Sequence, residues 1–252
     1  MATTAGALSA TPGAERPRDT WDDVMAGFVP GLATLEQAIH DAAQALRPDG
    51  PRRVLDLGGG PGVLAARMAR RWPSAAVTLL DLDPVLLALA RAAGPRGVAV
   101  VDADLTSPAW TTRAGGAHDL ITVVMTMHYL NPREARALYA DALRCLAPGG
   151  LLVVADLMPD DGAPTLMRAL DPGAGEAAAE LAWAQWWDDA ARMPELRQPM
   201  RARADLFGKR TPAEFTAGVS WHAEAARTAG FAEAGLLWRC GRHAALAALA
   251  PA

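Results

Sequence analysis

A chain of 252 residues is long enough for one large domain or a core with an insert, and it does not require two domains. Hydrophobic residues make up 51% and charged residues 21%, with a mean hydropathy of +0.08, which excludes the disordered and collagenous classes. Against 24 basic side chains stand 28 acidic ones, for a formal net charge of -4. The electrostatic footprint of a dedicated nucleic-acid binder is missing, and a small molecule is the expected partner.

One basic residue, Lys209, is lysine and the rest are arginine, which together with the abundant alanine and glycine suggests the coding bias of a GC-rich genome. Cys145 and Cys240 lie in apolar stretches without CxxC spacing, so a reducing cytoplasm is expected and a disulfide framework or cysteine zinc site is not. The longest apolar runs, such as 151–155, are too short to cross a bilayer, so no membrane partner is expected. Residues 1–18 lack a basic start followed by an apolar stretch and read as a disordered tail, not a signal peptide.

Residues 19–50 read as an N-terminal helical lid. Phe28-Val29-Pro30-Gly31 breaks any helix there, and Leu32, Leu35, Ile39, Ala42, Ala43 and Leu46 then recur at helical spacing up to Pro48-Asp49-Gly50. From Arg53 short apolar runs at 54–57, 76–80, 98–101, 120–124 and 151–155 alternate with helical patterns at 65–72, 85–93 and 133–146. Strands apolar on both faces with helical crossovers imply a doubly wound α/β core with a mostly parallel sheet, placed over 51–156. Residues 157–225 hold a helical pattern at 176–191 among prolines and read as a helical cap insert. Residues 226–252 close the sheet with two antiparallel strands at 231–239 and 243–249, for seven strands in all.

The stretch Val54-Leu55-Asp56-Leu57-Gly58-Gly59-Gly60-Pro61-Gly62 follows a strand and opens a helix, where a side-chain-free bend lets a ligand approach the backbone. Val63 stands where a dinucleotide fingerprint needs its third glycine, and no P-loop lysine is present, so phosphate cradles are disfavoured.

This motif resembles the first motif of the class I S-adenosylmethionine-dependent methyltransferases, and further stretches agree in order and spacing. Val77-Thr78-Leu79-Leu80-Asp81-Leu82-Asp83-Pro84 is similar to the family's second strand, which implies Asp81 as the acid that grips the ribose hydroxyls. In Val98-Ala99-Val100-Val101-Asp102-Ala103-Asp104-Leu105 the resemblance implies Asp104, with Asp102 as rival, as acceptor for the adenine amino group, and Leu82 and Leu105 as the adenine sandwich. The segment 118–130 resembles the fourth strand and its reaction loop, and Pro148-Gly149-Gly150 the turn into the fifth. The similarity covers roughly residues 52–156, more weakly the last two strands. It implies a Rossmann-like methyltransferase fold and S-adenosylmethionine as cofactor, held by Asp56, Gly58, Gly59, Gly60, Gly62, Asp81, Leu82, Asp104, Leu105 and Met125.

His128, just past the fourth strand, is the candidate catalytic residue, since a histidine can take a proton from an acceptor near neutrality; the plainer alternative is that it only orients the loop. Trp183, Trp186 and Trp187 lie at helical spacing. They are read as core or as an acceptor wall in which Trp21, Phe28, Tyr129, Trp183, Trp187 and His222 bind substrate. His40 and His118 are expected on the surface. The basic run Arg197, Arg201, Arg203, Lys209 and Arg210 reads as a solvated face unless one arginine turns inward to clamp an anionic acceptor. Asp156, Asp160 and Asp161 read as caps and turns, and no metal is expected.

The function implied is methyl transfer to an oxygen, nitrogen or carbon of a small molecule, in secondary metabolism if the genome bias and cap are a guide, with room for a homodimer. Two alternatives stand beside it. One is another use of the same cofactor, by a cyclase, decarboxylase or modified-cofactor synthase; the other is a non-catalytic binding subunit.

Overall fold

The computed structural model describes residues 17–94, 97–160, 162–170, 174–210 and 213–252. Residues 1–16 of the tail expected over 1–18, and Asp161, lie outside the described residues. Pro17 and Arg18 do not belong to a free tail: Pro17 is buried, and Arg18 donates to the carbonyls of Pro61 and Gly62 at 3.0 and 3.2 Å.

Seven strands form one sheet: β1 (Arg53–Leu57), β2 (Ala76–Asp81), β3 (Val98–Asp102), β4 (His118–Val124), β5 (Leu146–Leu157), β6 (Glu233–Cys240) and β7 (His243–Leu249). Their order is β3-β2-β1-β4-β5-β7-β6, and β7 runs antiparallel to both of its neighbours while the first five strands are parallel. The described helices are α1 (Trp21–Phe28), α2 (Leu32–Leu46), α3 (Val63–Arg71), α4 (Pro84–Ala93), α5 (Trp110–Ala114), α6 (Pro132–Cys145), α7 (Pro164–Leu170), α8 (Ala174–Arg192), α9 (Arg197–Phe207) and α10 (Val219–Ala229). None of them is long and apolar enough to cross a membrane.

The near-continuous apolar strands are buried on both faces, as a parallel sheet between helical layers requires. Alternate residues divide between two cores. Val54, Leu120 and Val153 pack with Leu35, Ile39 and Met68, whereas Leu55, Ile121 and Leu152 pack with Trp110, Leu138 and Tyr139. Local chemistry fixes where the crossover helices begin. Asp83 caps α4 by accepting from the N–H groups of Val85 and Leu86, and Asn131 and Glu134 form a reciprocal capping box on α6. Both helices carry proline in the first position, where no N–H is needed.

β5 starts at Leu146, five residues before the apolar run; across Pro148-Gly149-Gly150 the register with β4 shifts, Gly149 turning at φ +61°, and regular pairing resumes at Leu151. The insert expected over 157–225 ends earlier. α10 packs on α6, β6 and β7, and its His222 is buried with Nδ1 2.9 Å from Tyr139 Oη. His222 is therefore a core residue and not a substrate ligand, and burial lowers its pKa to about 4, so it stays neutral. His118 is a second correction: it is buried in β4, and its Nε2–H donates to the Ala114 carbonyl at 3.2 Å.

The tryptophan stripe of α8 makes a third, smaller core against α1 and α4. Trp186 is buried and donates from Nε1 to Pro17 O at 2.7 Å. Trp183 stacks on Trp186 at 5.9 Å and meets Trp21 and Phe28 edge-on or tilted at 5.6 and 5.8 Å. Trp183, Trp187, Trp21 and Phe28 thus bind the insert to the N-terminal helix instead of forming an open acceptor wall. Truncating a buried aromatic removes both its transfer energy and its packing. Trp186→Ala is expected to cost about 3–5 kcal/mol in urea unfolding; a loss below about 1 kcal/mol would restore the wall reading.

Candidate functional site

The strand order reverses between β1 and β4, so the loops leaving these two strands splay apart at their carboxyl ends. This switch point is where open α/β sheets place ligands.

From β1 comes the glycine bend. Gly58 adopts φ +67°, and a Cβ there would meet Thr126 Oγ1 at 2.2 Å, so glycine is required for backbone and space alike. The N–H groups of Gly58 and Gly59 both donate to Leu80 O, at 2.7 and 3.1 Å, and Gly60 N–H donates to Asp81 Oδ2 at 2.7 Å. The bend is thereby clamped to the end of β2. Gly62, at φ +78°, opens α3. From above, Trp21 lies 3.3 Å from where a Gly60 side chain would begin, and Arg18 holds the carbonyls of Pro61 and Gly62.

Two buried carboxylates lie beneath this bend. Asp56 Oδ1 accepts from Thr122 Oγ1 at 2.7 Å, whereas Asp56 Oδ2 has no hydrogen-bond partner and is the atom a Cβ on Gly59 would strike at 2.6 Å. Burial pushes the Asp56 carboxyl up to about 7, with a further push from Asp81, against the Thr122 bond. Burial pushes Asp81 up to about 6, opposed by the N–H groups of Asp83 and Gly60. Such poorly solvated acceptors suit a cationic amine and a pair of hydroxyls.

Leu82 and Leu105 are half-buried on the β2 and β3 sides of the crevice. Asp104, expected to meet the adenine amino group, accepts from Thr106 N–H and Oγ1 at 2.9 and 2.7 Å and is ion-paired with Arg210. Burial raises its pKa, but the Arg210 and Thr106 bonds outweigh that and leave it below the usual carboxylate range. Arg203 donates from Nε to Asp83 Oδ2 at 2.6 Å and lies 3.8 Å from the Trp187 ring. Two residues of the run read as a solvated face are thus ion-paired, Arg203 with the buried Asp83 and Arg210 with the part-exposed Asp104.

From β4 comes the reaction loop. Met125 turns the chain at φ +51°, rare for a side chain of its size, and its N–H donates to Ala155 O at 2.8 Å. Thr126 Oγ1 donates to the carbonyls of Val124 and Gly58, at 3.1 and 3.3 Å, tying this loop to the glycine bend. His128 follows in a short 3-10 turn. Its Nδ1 lies 2.8 Å from Asp156 Oδ1, and its backbone N–H donates to Asp156 Oδ2 at 3.2 Å. Burial raises the Asp156 pKa, but the His128 hydrogen bond and charge and the Leu157 N–H pull it lower still, so the carboxylate is ionised and can only accept. Nδ1 therefore carries a proton, and in the neutral ring Nε2 is the free base. Tyr129 lies against the imidazole at 4.1 Å between ring centroids and is 57% exposed, leaving its face to a ligand. Phe215 N–H donates to His128 O at 3.0 Å, holding the loop from the insert side.

Sequence reading missed Thr122, Thr126 and Arg18, and it took Asp156 for a cap or turn and Arg203 and Arg210 for a solvated face unless one arginine turned inward. Asp156 carried a further signal, as an acid at the carboxyl end of a strand. Its pairing with His128 depends on β4 and β5 being neighbours with Val124 beside Ala155.

Residues 54–150 match a family described as a methyltransferase domain. A trans-aconitate 2-methyltransferase from Azoarcus sp. is 34% identical over 189 residues, covering 71% of this chain and 70% of that protein. The chain belongs to the class I S-adenosylmethionine-dependent methyltransferase family. A second trans-aconitate 2-methyltransferase, from Methylobacterium radiotolerans, is 39% identical over 163 residues, and the alignment spans 62% of this chain and 59% of that relative's length. In fold the chain is similar to an O-methyltransferase family protein of Burkholderia thailandensis, with a TM-score of 0.57 at 22% identity over 93% of this chain and 60% of that one.

The raised carboxyls beneath the bend set a pH dependence. A carboxyl whose folded pKa exceeds its unfolded value contributes stability that is complete below the unfolded pKa, near 4, and is lost as the pH rises through the folded value, about 7 for Asp56. Asp56→Asn keeps an acceptor for Thr122 and removes the ionisation. Between pH 5 and 8 the ligand-free variant is expected to gain at least about 1 kcal/mol on the wild-type protein in chemical denaturation; parallel pH curves would contradict the assignment.

Proposed function

We propose that the chain transfers a methyl group from S-adenosylmethionine to a hydroxyl oxygen of a small molecule. The observation that carries this reading is the His128–Asp156 pair at the mouth of the switch-point crevice, across from the glycine bend. The cofactor reading is supported by the unpartnered, buried Asp56 Oδ2, by the Asp81 carboxylate on Gly60 N–H and by a bend whose space a Cβ would fill. Asp56 would face the amino end of the cofactor, Asp81 the ribose, and Asp104 with Leu82 and Leu105 the adenine. When bound, the cofactor supplies an electrophilic methyl on a sulfonium and departs as the neutral thioether S-adenosylhomocysteine.

The chain's own part is to align the acceptor and take its proton. Asp156 fixes the tautomer and plane of His128 so that Nε2 receives the hydroxyl proton as the oxygen attacks, and the imidazolium that forms is balanced by the ionised carboxylate. Tyr129 offers an aromatic face beside that nitrogen. The relatives are named for trans-aconitate, but a carboxylate acceptor is already ionised at neutral pH and needs no base. An oriented imidazole is useful only for an acceptor that keeps its proton, which favours a phenol or alcohol. A use of the cofactor that requires an extra carboxylate held near the methyl finds less support, because Arg203 and Arg210 are turned to Asp83 and Asp104. Cys145 and Cys240 are both free thiols, in keeping with a reducing, cytoplasmic setting.

Incubation with cofactor carrying a labelled methyl and paired hydroxyl and carboxylate acceptors, followed by mass spectrometry, is expected to give a labelled methyl ether together with S-adenosylhomocysteine. His128→Ala should lower kcat by about two to four orders of magnitude with cofactor affinity unchanged. Asp156→Asn should lower kcat at nearly constant KM, with partial recovery in Asp156→Glu. Labelled ester as the sole product, or normal turnover of His128→Ala, would remove the base from the reaction.

A further inference from the structure

The mode of attachment of α9 to the core differs from that of every other long helix described. None of its residues is buried, although Met200 touches the tryptophan core. α9 packs on α4, and an open cleft of about 250 Å3 runs along their contact between Pro84, Leu87, Arg91, Asp102, Pro199 and Ala202. Two ion pairs tie α9 and the residues just after it to the loops leaving β2 and β3. Arg203 reaches Asp83, two residues beyond the ribose acid Asp81, and Arg210 reaches Asp104, two residues beyond the end of β3. Both pairs fall on the β2 and β3 side of the switch point, the side assigned to adenosine. The Arg203 pair is the more sheltered: Asp83 is buried, and the guanidinium is stacked at 3.8 Å on Trp187 and 5.0 Å from Phe207. The Arg210 pair is open to solvent, with its two side chains 37% and 25% exposed.

We propose that the 197–210 segment is a bolt across the adenosine end of the crevice, with Arg203 as its fixed end and Arg210 as its releasing end. In this scheme Arg210 and the cofactor's adenine amino group compete for the Asp104 carboxylate. The inference rests on Asp104 being the adenine partner in the proposed function. Asp104 Oδ1 is already engaged by Thr106, so the exchangeable acceptor is Oδ2, the atom Arg210 holds. Oδ2 keeps a second lone pair, so in this scheme the guanidinium excludes the adenine amino group by occupying the approach to that oxygen. Cofactor uptake therefore frees Arg210 and loosens α9, while return of Arg210 to Asp104 helps to expel the product. A part-exposed ion pair just beyond the end of an unburied helix is weak enough for such an exchange to be reversible.

The test compares wild-type protein with Arg210→Ala, using S-adenosylhomocysteine as the probe in calorimetry and hydrogen exchange of residues 197–210 as a readout that needs no ligand. Removing the competitor is expected to tighten binding by about two- to five-fold at low salt. The advantage should shrink as added salt screens the wild-type pair. Without ligand, 197–210 should exchange faster in the variant. With ligand, exchange should rise in the wild type and change little in Arg210→Ala. Weaker binding by the variant would make Arg210 a cofactor ligand, and equal affinity would mean no competition; either overturns the bolt while leaving the cofactor reading intact. Failure of the wild-type protein itself to bind the probe overturns both.

Discussion

A side-chain-free bend pressed onto buried carboxylates is the constraint on which the rest of the site depends. Gly58 and Gly59 hang from Leu80 O and Gly60 from Asp81 Oδ2, so the bend, the end of β2 and the acid beneath are one hydrogen-bonded unit. The arrangement is costly in isolation. Asp56 keeps an unpaired oxygen in a dry place, and the Asp56 and Asp81 carboxyls are pushed toward neutral pH by burial. A buried, poorly paired acid is destabilising to the fold and useful to a ligand that brings positive charge or donors, and sites of function are where such frustration collects.

The reaction loop inherits its position from that unit. Thr126 fills the space that glycine leaves at position 58 and bonds to its carbonyl, so the bend and the His128 turn move together. Met125 accepts a left-handed backbone to make the corner, and parallel pairing of β4 with β5 delivers Asp156 to the imidazole. Strain at Met125 and burial of Asp156 are offset by the sheet around them, which is how the His128 imidazole is held in one tautomer on a loop.

The insert serves two mechanical purposes. Through the α8 tryptophans it joins the N-terminal helix in a dry core, and α1 in turn places Trp21 over the glycine bend. Through α9 and the residues just after it, the insert is ion-paired to Asp83 and Asp104 beside an open cleft. In the proposed exchange, the more exposed half of the insert moves without unfolding the tightly packed half.

The sheet and its bend were legible from residue order because their signals are local: two-sided apolar strands, proline-marked helix starts and glycines at fixed offsets after a strand. His128 was legible as a candidate for the same reason, by its place after the fourth strand. Asp156 was not, since it looked like any acid at a strand end until β5 lay beside β4. His118 and His222, polar in type, were drawn into the core by their neighbours, and the tryptophans of α8 found α1 instead of an acceptor. The amino-acid sequence by itself determined the layers, the glycine bend and the acids at the carboxyl ends of β1 and β2, because backbone stereochemistry and hydrophobic period act between near neighbours. Tertiary structure alone decided the His128–Asp156 pair and the arginine latches on Asp83 and Asp104, because a hydrogen bond between residues 28 or more positions apart exists only once packing has fixed the distance between them.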